Sequence, residues 1–305
     1  GILIPPSVAL VIYAIIVEAS IIQMFQAAVL PGLMAVAFFI AVILISVRLN
    51  PALAPAVETF TAPEKRQALR RLGPVIVIFG SIILGLGFGL FTPTPAAGVG
   101  VFLIMAYGLY IYARRGEGLN LQGLKASLLD TAVTAGMIYF IIFGAEVLKS
   151  FFTRSGLPAA LATWAGASGL DPWTILILML IILIFLGCFM ESLAMILVIV
   201  PFFWPTLVDL NGGDMATVAT AAYGMDSESL KIWFGILALI VIELGLITPP
   251  VGLNVFIINM LSKDVPMVET FRGVVPFIGA EIIRIGLLLL VPGLVLFLPG
   301  LLAGG

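Results

Sequence analysis

Two stretches decide the fold: Gly1-Ile2-Leu3-Ile4-Pro5-Pro6 and Gly245-Leu246-Ile247-Thr248-Pro249-Pro250. The same Gly-x-x-x-Pro-Pro pattern stands once in each half of the chain, inside strongly apolar sequence. Proline lacks the N–H that reaches back four residues, and its ring crowds that carbonyl, so a double proline ends a regular helix. Water hydrates a carbonyl freed in this way. In a bilayer it needs another partner or a cavity to line. Two matching breaks predict two related halves, each with an interrupted helix near the membrane midplane.

The surrounding composition fits that setting. The chain has 305 residues, 62% hydrophobic and 10% charged, which excludes an ordinary soluble domain and predicts an all-α polytopic membrane protein. It does not begin with Met, and its first residues resemble the middle of a helix, so it reads as part of a longer protein. With no histidine, His-based general bases, His metal sites and Ser-His triads are excluded. Cys188 is the sole cysteine, so there is no internal disulfide or CxxC pair. A net charge of −2 without a long basic tract gives nucleic-acid binding no support.

Hydropathy and breaks predict the following order along the chain. Residues 1–24 form the first discontinuous helix. Residues 25–72 hold a scaffold helix (Phe25 to Val47) and a basic loop. Residues 73–128 form a helical pair joined by Thr92-Pro93-Thr94-Pro95, which reads as a re-entrant break or a simple turn. Residues 129–171 link onward, and residues 172–210 make a re-entrant hairpin with its following helix. Residues 211–232 are an outer loop, 233–261 the second discontinuous helix, and 262–305 a C-terminal scaffold helix. The basic loops at 48–71, 114–125 and 262–272 read as cytoplasmic, and the basic-free stretches 18–24 and 206–230 as external. The loops after the two double prolines then face opposite sides, as an inverted repeat requires. Trp204 and Trp233 read as interfacial anchors.

Chemistry concentrates at the breaks. Counting back four from Pro249 and Pro250 frees the carbonyls of Gly245 and Leu246. Thr248 precedes a proline and is pushed out of helical geometry, so its carbonyl and hydroxyl become available together. The same count at Pro5 and Pro6 frees Gly1 and Ile2, with Ser7 supplying the hydroxyl. Such oxygens suit a small alkali cation. The alternative is a pair of kinks packed against neighbouring helices. Gly187-Cys188-Phe189-Met190-Glu191-Ser192 interrupts an apolar run whose arms are each too short to span. It reads as a hairpin tip at membrane depth, where Glu191 is a functional candidate. The alternative is a continuous tilted helix with Glu191 paired to a basic residue. Glu146 with Lys149, and Glu281 with Arg284, have neutralising i,i+3 spacing. Glu243 has no basic neighbour at helical spacing and faces either the interior or a cavity. Asn254 binds substrate or links helices. No Arg is placed facing a binding cavity.

Five stretches carry a family resemblance: Gly1-Ile-Leu-Ile-Pro-Pro-Ser7, Leu30-Pro31-Gly32, Phe91-Thr-Pro-Thr94, Phe189-Met190-Glu191-Ser192 and Leu246-Ile-Thr-Pro-Pro-Val-Gly-Leu-Asn254. In type and order they resemble the large membrane subunit of the tripartite ATP-independent periplasmic (TRAP) transporters. Pro95 stands where that pattern usually continues with Glu. The resemblance implies a sodium-driven elevator symporter of the bacterial inner membrane, not an enzyme. It implies a small membrane subunit and a periplasmic substrate-binding protein as partners. The implied substrates are small carboxylates such as C4-dicarboxylates or sialic acid. Na+ is the implied coupling ion, with no other cofactor. Carried over, one cation site would involve Gly245, Thr248 and Val251, facing the hairpin tip near Gly187. The other would involve Gly1, Ile4 and Pro5, with Ser7 beside them. Glu191, Ser192, Asn254 and Thr94 are the substrate-binding candidates. The competing expectation is an ion-coupled carboxylate carrier of similar hairpin architecture that needs no binding protein.

Overall fold

The computed structural model describes residues 3–54, 61–87, 89–261 and 265–302. Among these, all regular structure is helical. In chain order the helices are α1 (Val8–Ile16), α2 (Ile21–Leu49), α3 (Ala62–Gly87), α4 (Pro93–Arg115), α5 (Leu121–Ser155), α6 (Leu157–Ala167), α7 (Pro172–Gly187), α8 (Ser192–Val198), α9 (Val200–Asn211), α10 (Ser227–Gly245), α11 (Leu253–Leu261), α12 (Met267–Leu290) and α13 (Gly293–Leu302). Five described helices, α2, α3, α4, α5 and α12, are long and apolar enough to cross a membrane. The pair α8 and α9 adds a sixth if its 50° bend lies within one broken span. The chain is therefore an all-α polytopic membrane protein.

The chain divides into two compact units, Gly1–Leu49 with Ile142–Gly305, and Asn50–Ile141. The first is built around α10. This helix buries 14 of its 19 residues, with α7, α2 and α12 packed on its sides. Asp226 caps its start by accepting from the Ser229 amide at 2.7 Å. Asp171 caps α7 in the same way, accepting from the Trp173 amide at 2.9 Å, and Pro172 occupies the first helical position. The Thr174 hydroxyl donates to the same carboxylate and is the leading cause of its lowered pKa.

Glycines and prolines set the contacts of this unit. At Gly235 a Cβ would run into the Tyr13 ring, so only glycine lets α1 lie against α10 there. The Tyr13 hydroxyl crosses to the Lys231 carbonyl at 2.8 Å. Trp233, expected at the membrane interface, is instead fully buried. Its indole N–H donates to the Leu288 carbonyl at 2.9 Å. Pro292 is the reason: it has no N–H to reach back four residues, which frees the Leu288 carbonyl. The same proline divides the expected C-terminal helix into α12 and α13. Trp204 stays half-buried, its ring 6.4 Å from that of Phe234.

The described part of the expected external loop is closely tied. Asn211 is buried, accepts from the Tyr223 amide at 3.1 Å and donates to the Met225 carbonyl at 3.0 Å. The Tyr223 hydroxyl donates to the Pro172 carbonyl at 3.0 Å, and burial, with the Asp171 charge behind it, raises its pKa.

The second unit contains α3, α4 and the first part of α5. The basic stretch expected as loop is helical from Ala62. Thr61 and Glu64 explain it: the Glu64 carboxylate accepts from the Thr61 amide at 2.7 Å and hydroxyl at 2.8 Å, within a Thr-x-x-Glu start. After α3 the amides of Leu90 and Phe91 both close on the Gly85 carbonyl, at 2.8 and 3.2 Å. Gly100 on α4 returns to face Ile82 on α3, so the two helices form an antiparallel hairpin. Thr92 is the residue before α4, and Thr94 lies in its first turn.

Candidate functional site

The second Gly-x-x-x-Pro-Pro break lies between α10 and α11. α10 ends at Gly245, residues 246–252 form a non-helical loop with a cis Pro249–Pro250 bond, and α11 begins at Leu253. Gly252 takes φ +57°, where its missing Cβ also clears the Phe271 ring. The carbonyls released by the prolines are partly taken up again. The Thr248 amide donates to Gly245 O at 3.0 Å, and the Asn254 amide to Leu246 O at 3.0 Å. A carbonyl has two lone pairs, so each oxygen keeps one for a ligand. The Thr248 hydroxyl donates to Leu244 O at 2.6 Å. With its proton committed there, its oxygen presents only lone pairs to the loop.

The hairpin tip meets this break through backbone. A Cβ on Gly245 would lie 2.7 Å from the Ile184 carbonyl oxygen and 2.8 Å from the Gly187 Cα; one on Gly187 would lie 3.0 Å from the Ile242 carbonyl oxygen. Two glycines back to back let α7 and α10 touch main chain to main chain at the point where both helices end. Cys188, the next residue, points its thiol at the Ile184 carbonyl at 3.3 Å and at the Pro249 carbonyl at 3.5 Å. Gly187, Gly245 and Thr248 are thus drawn together, with Val251 half-buried in the same loop.

The polar residues of the tip divide into two roles. Glu191 is exposed and caps α8, accepting from the Leu193 and Ala194 amides at 2.9 and 3.2 Å. Ser192 is buried and donates to the Glu243 carboxylate at 2.6 Å, tying α8 to α10. Sequence left the orientation of Glu243 open; its local partner is this serine from another helix. Glu243 also lines a cavity of about 280 Å³ with Leu3, Gly32, Asn254, Glu281 and Arg284. Asn254 is therefore a cavity residue. Arg284 is the cavity arginine that sequence did not place. The pair with Glu281 was legible from its spacing, and here it is buried, Nε to Oε2 at 3.0 Å. Arg284 Nη1 also donates to the Pro31 carbonyl at 2.9 Å, joining α12 to α2.

At the first break, Gly1 lies outside the described residues. Pro5 is buried and precedes a cis bond to Pro6, while Ile4 is exposed and borders the cavity. Ser7 is buried and caps α1, accepting from the Leu10 amide at 3.4 Å. Thr94 is exposed in the second unit. The Lys149 side chain also lies outside the described residues. Among the described residues no group of three or more Cys, Asp or Glu side chains is placed to hold a metal. The donors at the second break are carbonyl and hydroxyl oxygens, a set that fits a hard alkali cation.

Comparison with known proteins gives a consistent picture. The family described as "Tripartite ATP-independent periplasmic transporter, DctM component" matches residues 1–294. A C4-dicarboxylate TRAP transporter large permease protein from Pseudomonas aeruginosa is 33% identical over 282 residues, 91% of this chain and 60% of that protein. A sialic acid TRAP transporter large permease protein from Vibrio cholerae is 31% identical over 296 residues, 96% of this chain and 63% of its own length. A C4-dicarboxylate TRAP large permease from the same organism is 30% identical, with 66% of its length covered. The chain thus spans about six-tenths of the length of the curated relatives it matches.

Proposed function

We infer the function from one premise: this chain belongs to the DctM component family of tripartite ATP-independent periplasmic transporters. It is a transporter permease component rather than an enzyme. We propose that it forms the transport core of a sodium-coupled symporter of the bacterial inner membrane. The substrate is a small organic acid, a C4-dicarboxylate or a sialic acid, the two substrate classes named for its relatives. A periplasmic binding protein delivers the substrate, and a small membrane subunit completes the permease.

The observation that carries this reading is the Gly187–Gly245 contact, with the Thr248 hydroxyl oxygen beside it. A cation held by the loop oxygens around Thr248 would bridge the end of α10 to the hairpin tip. Bound there, it fixes the tip that carries Ser192, and through Ser192 the cavity carboxylate of Glu243. Cation and substrate then stabilise each other's binding, a reciprocal coupling of about 1–3 kcal/mol. In the elevator mechanism one body slides past another. Here the core of hairpin and broken helices moves against a scaffold that includes the helix from Phe25 to Val47 and the C-terminal helix.

The test is uptake of radiolabelled succinate and N-acetylneuraminate into proteoliposomes carrying the intact permease, with binding protein added. A sodium gradient is expected to drive accumulation. Uptake at full rate without sodium removes the coupling, and full uptake without the binding protein favours the independent carrier.

A further inference from the structure

We infer that the α3–α4 hairpin carries a binding site for the phosphate headgroup of an anionic phospholipid, built on Arg66 and Arg70. This goes beyond the transport reading and does not depend on it.

Arg66 and Arg70 stand one helical turn apart on α3, on one face. Together with Ala62, Pro63 and Gln67 they line a single groove in the surface. Among the described residues neither guanidinium is paired with a carboxylate. Glu64, two residues before Arg66, is committed to the amide and hydroxyl of Thr61. Two guanidinium forks on one groove, with a side-chain amide beside them, match the oxygens of a phosphate diester.

The depth of the groove selects the source of that phosphate. α3 has 26 residues, about 39 Å at 1.5 Å per residue. This exceeds a hydrocarbon core of about 30 Å, so the basic first turns reach the headgroup layer. Two turns further along the same face the helix exposes Val77, an aliphatic contact for an acyl chain leaving the same headgroup. The antiparallel return of α4 brings Arg114 and Arg115 to the same end of the hairpin. Arg114 is steadied over the Tyr110 ring at 5.5 Å. With Lys65 and Arg71, six cationic side chains then crowd one end of one helical pair. By the positive-inside rule that end faces the cytoplasm, where anionic lipid attracts basic segments with a strength of about fivefold in affinity per residue.

Native mass spectrometry of the intact permease tests the site. The detergent-solubilised protein is titrated with cardiolipin, phosphatidylglycerol or phosphatidylcholine. The wild type is expected to retain the two anionic lipids in preference to phosphatidylcholine. Arg66→Gln/Arg70→Gln is expected to weaken cardiolipin binding about twentyfold, while Arg66→Lys/Arg70→Lys loses less and Lys125→Gln, outside the groove, loses no more than the general effect of one charge, about fivefold. A circular dichroism spectrum and melting temperature unchanged in the Gln variant show that the site, not the fold, was removed. Equal retention of all three lipids, or an unchanged cardiolipin affinity in a folded Gln variant, overturns the proposal. Displacement of cardiolipin by millimolar inorganic phosphate assigns the groove to free phosphate and overturns it. Loss of the small subunit at unchanged lipid binding assigns the groove to a protein partner, with the same consequence.

Discussion

Gly187 and Gly245 touch backbone to backbone: a Cβ on Gly245 would lie 2.8 Å from the Gly187 Cα and 2.9 Å from its carbonyl carbon. Main-chain atoms in two helices cannot swing aside as a flexible side chain does. Gly245→Ala is therefore expected to force α7 and α10 apart at a cost of roughly 1–3 kcal/mol. The melting temperature should fall and uptake should be lost. Gly279→Ala, where nothing lies within 4 Å, is the control. It should be neutral or slightly stabilising, because glycine is a poor helix former.

The Ser192–Glu243 bond ties the hairpin to the central helix. A hydrogen bond to a charged group contributes about 1.5–3 kcal/mol. Ser192→Ala should free the tip and raise the rate at which maleimide reaches Cys188 by about tenfold or more. Cys188 is buried and is the chain's sole thiol, so the reading comes from one position. An unchanged labelling rate would show that this bond does not hold the tip.

Thr248→Val keeps the shape of the side chain and removes its oxygen. If that oxygen coordinates the coupling ion, half-saturating sodium for uptake should rise by about tenfold or more, near 1.4 kcal/mol. Thr248→Ser should remain close to wild type. A sodium dependence identical in all three proteins sinks the assignment.

Trp233→Phe leaves the Leu288 carbonyl without its donor. A buried acceptor left unsatisfied costs about 1–3 kcal/mol, read as a lower melting temperature. In a Pro292→Ala background the backbone N–H returns, and the same substitution should cost less. Additivity of the two changes would break the link between this proline and this tryptophan.

How far sequence reached depends on how local each constraint is. The second double proline acts within four residues, so the helix break after Gly245 was legible; the end of α7 at Gly187 was legible from the local Gly-Cys-Phe-Met-Glu-Ser interruption. What fills a freed oxygen is not local. The Asn254 amide comes from past the break, and the Trp233 indole comes from another helix. Tryptophan's amphipathic ring made the membrane interface the natural expectation for Trp233, and only the Pro292 count in a distant segment pointed inward. Charge alone turned 62–71 into a loop, although Thr61 and Glu64 already spelled a helix start. Arg284 was visible as half of an ion pair, while its cavity is assembled from α1's leading loop, α2, α10, α11 and α12.

The central helix has one more consequence. α10 carries three charged residues, Glu228, Lys231 and Glu243, and it is not among the five helices that qualify as spans by length, apolarity and low charge. Sidedness along a polytopic chain is a parity: each crossing passed over reverses every assignment downstream. A topology that also caps the charges allowed in a span would omit the helix with the most protein around it. It would then reverse the direction in which α12 crosses the bilayer.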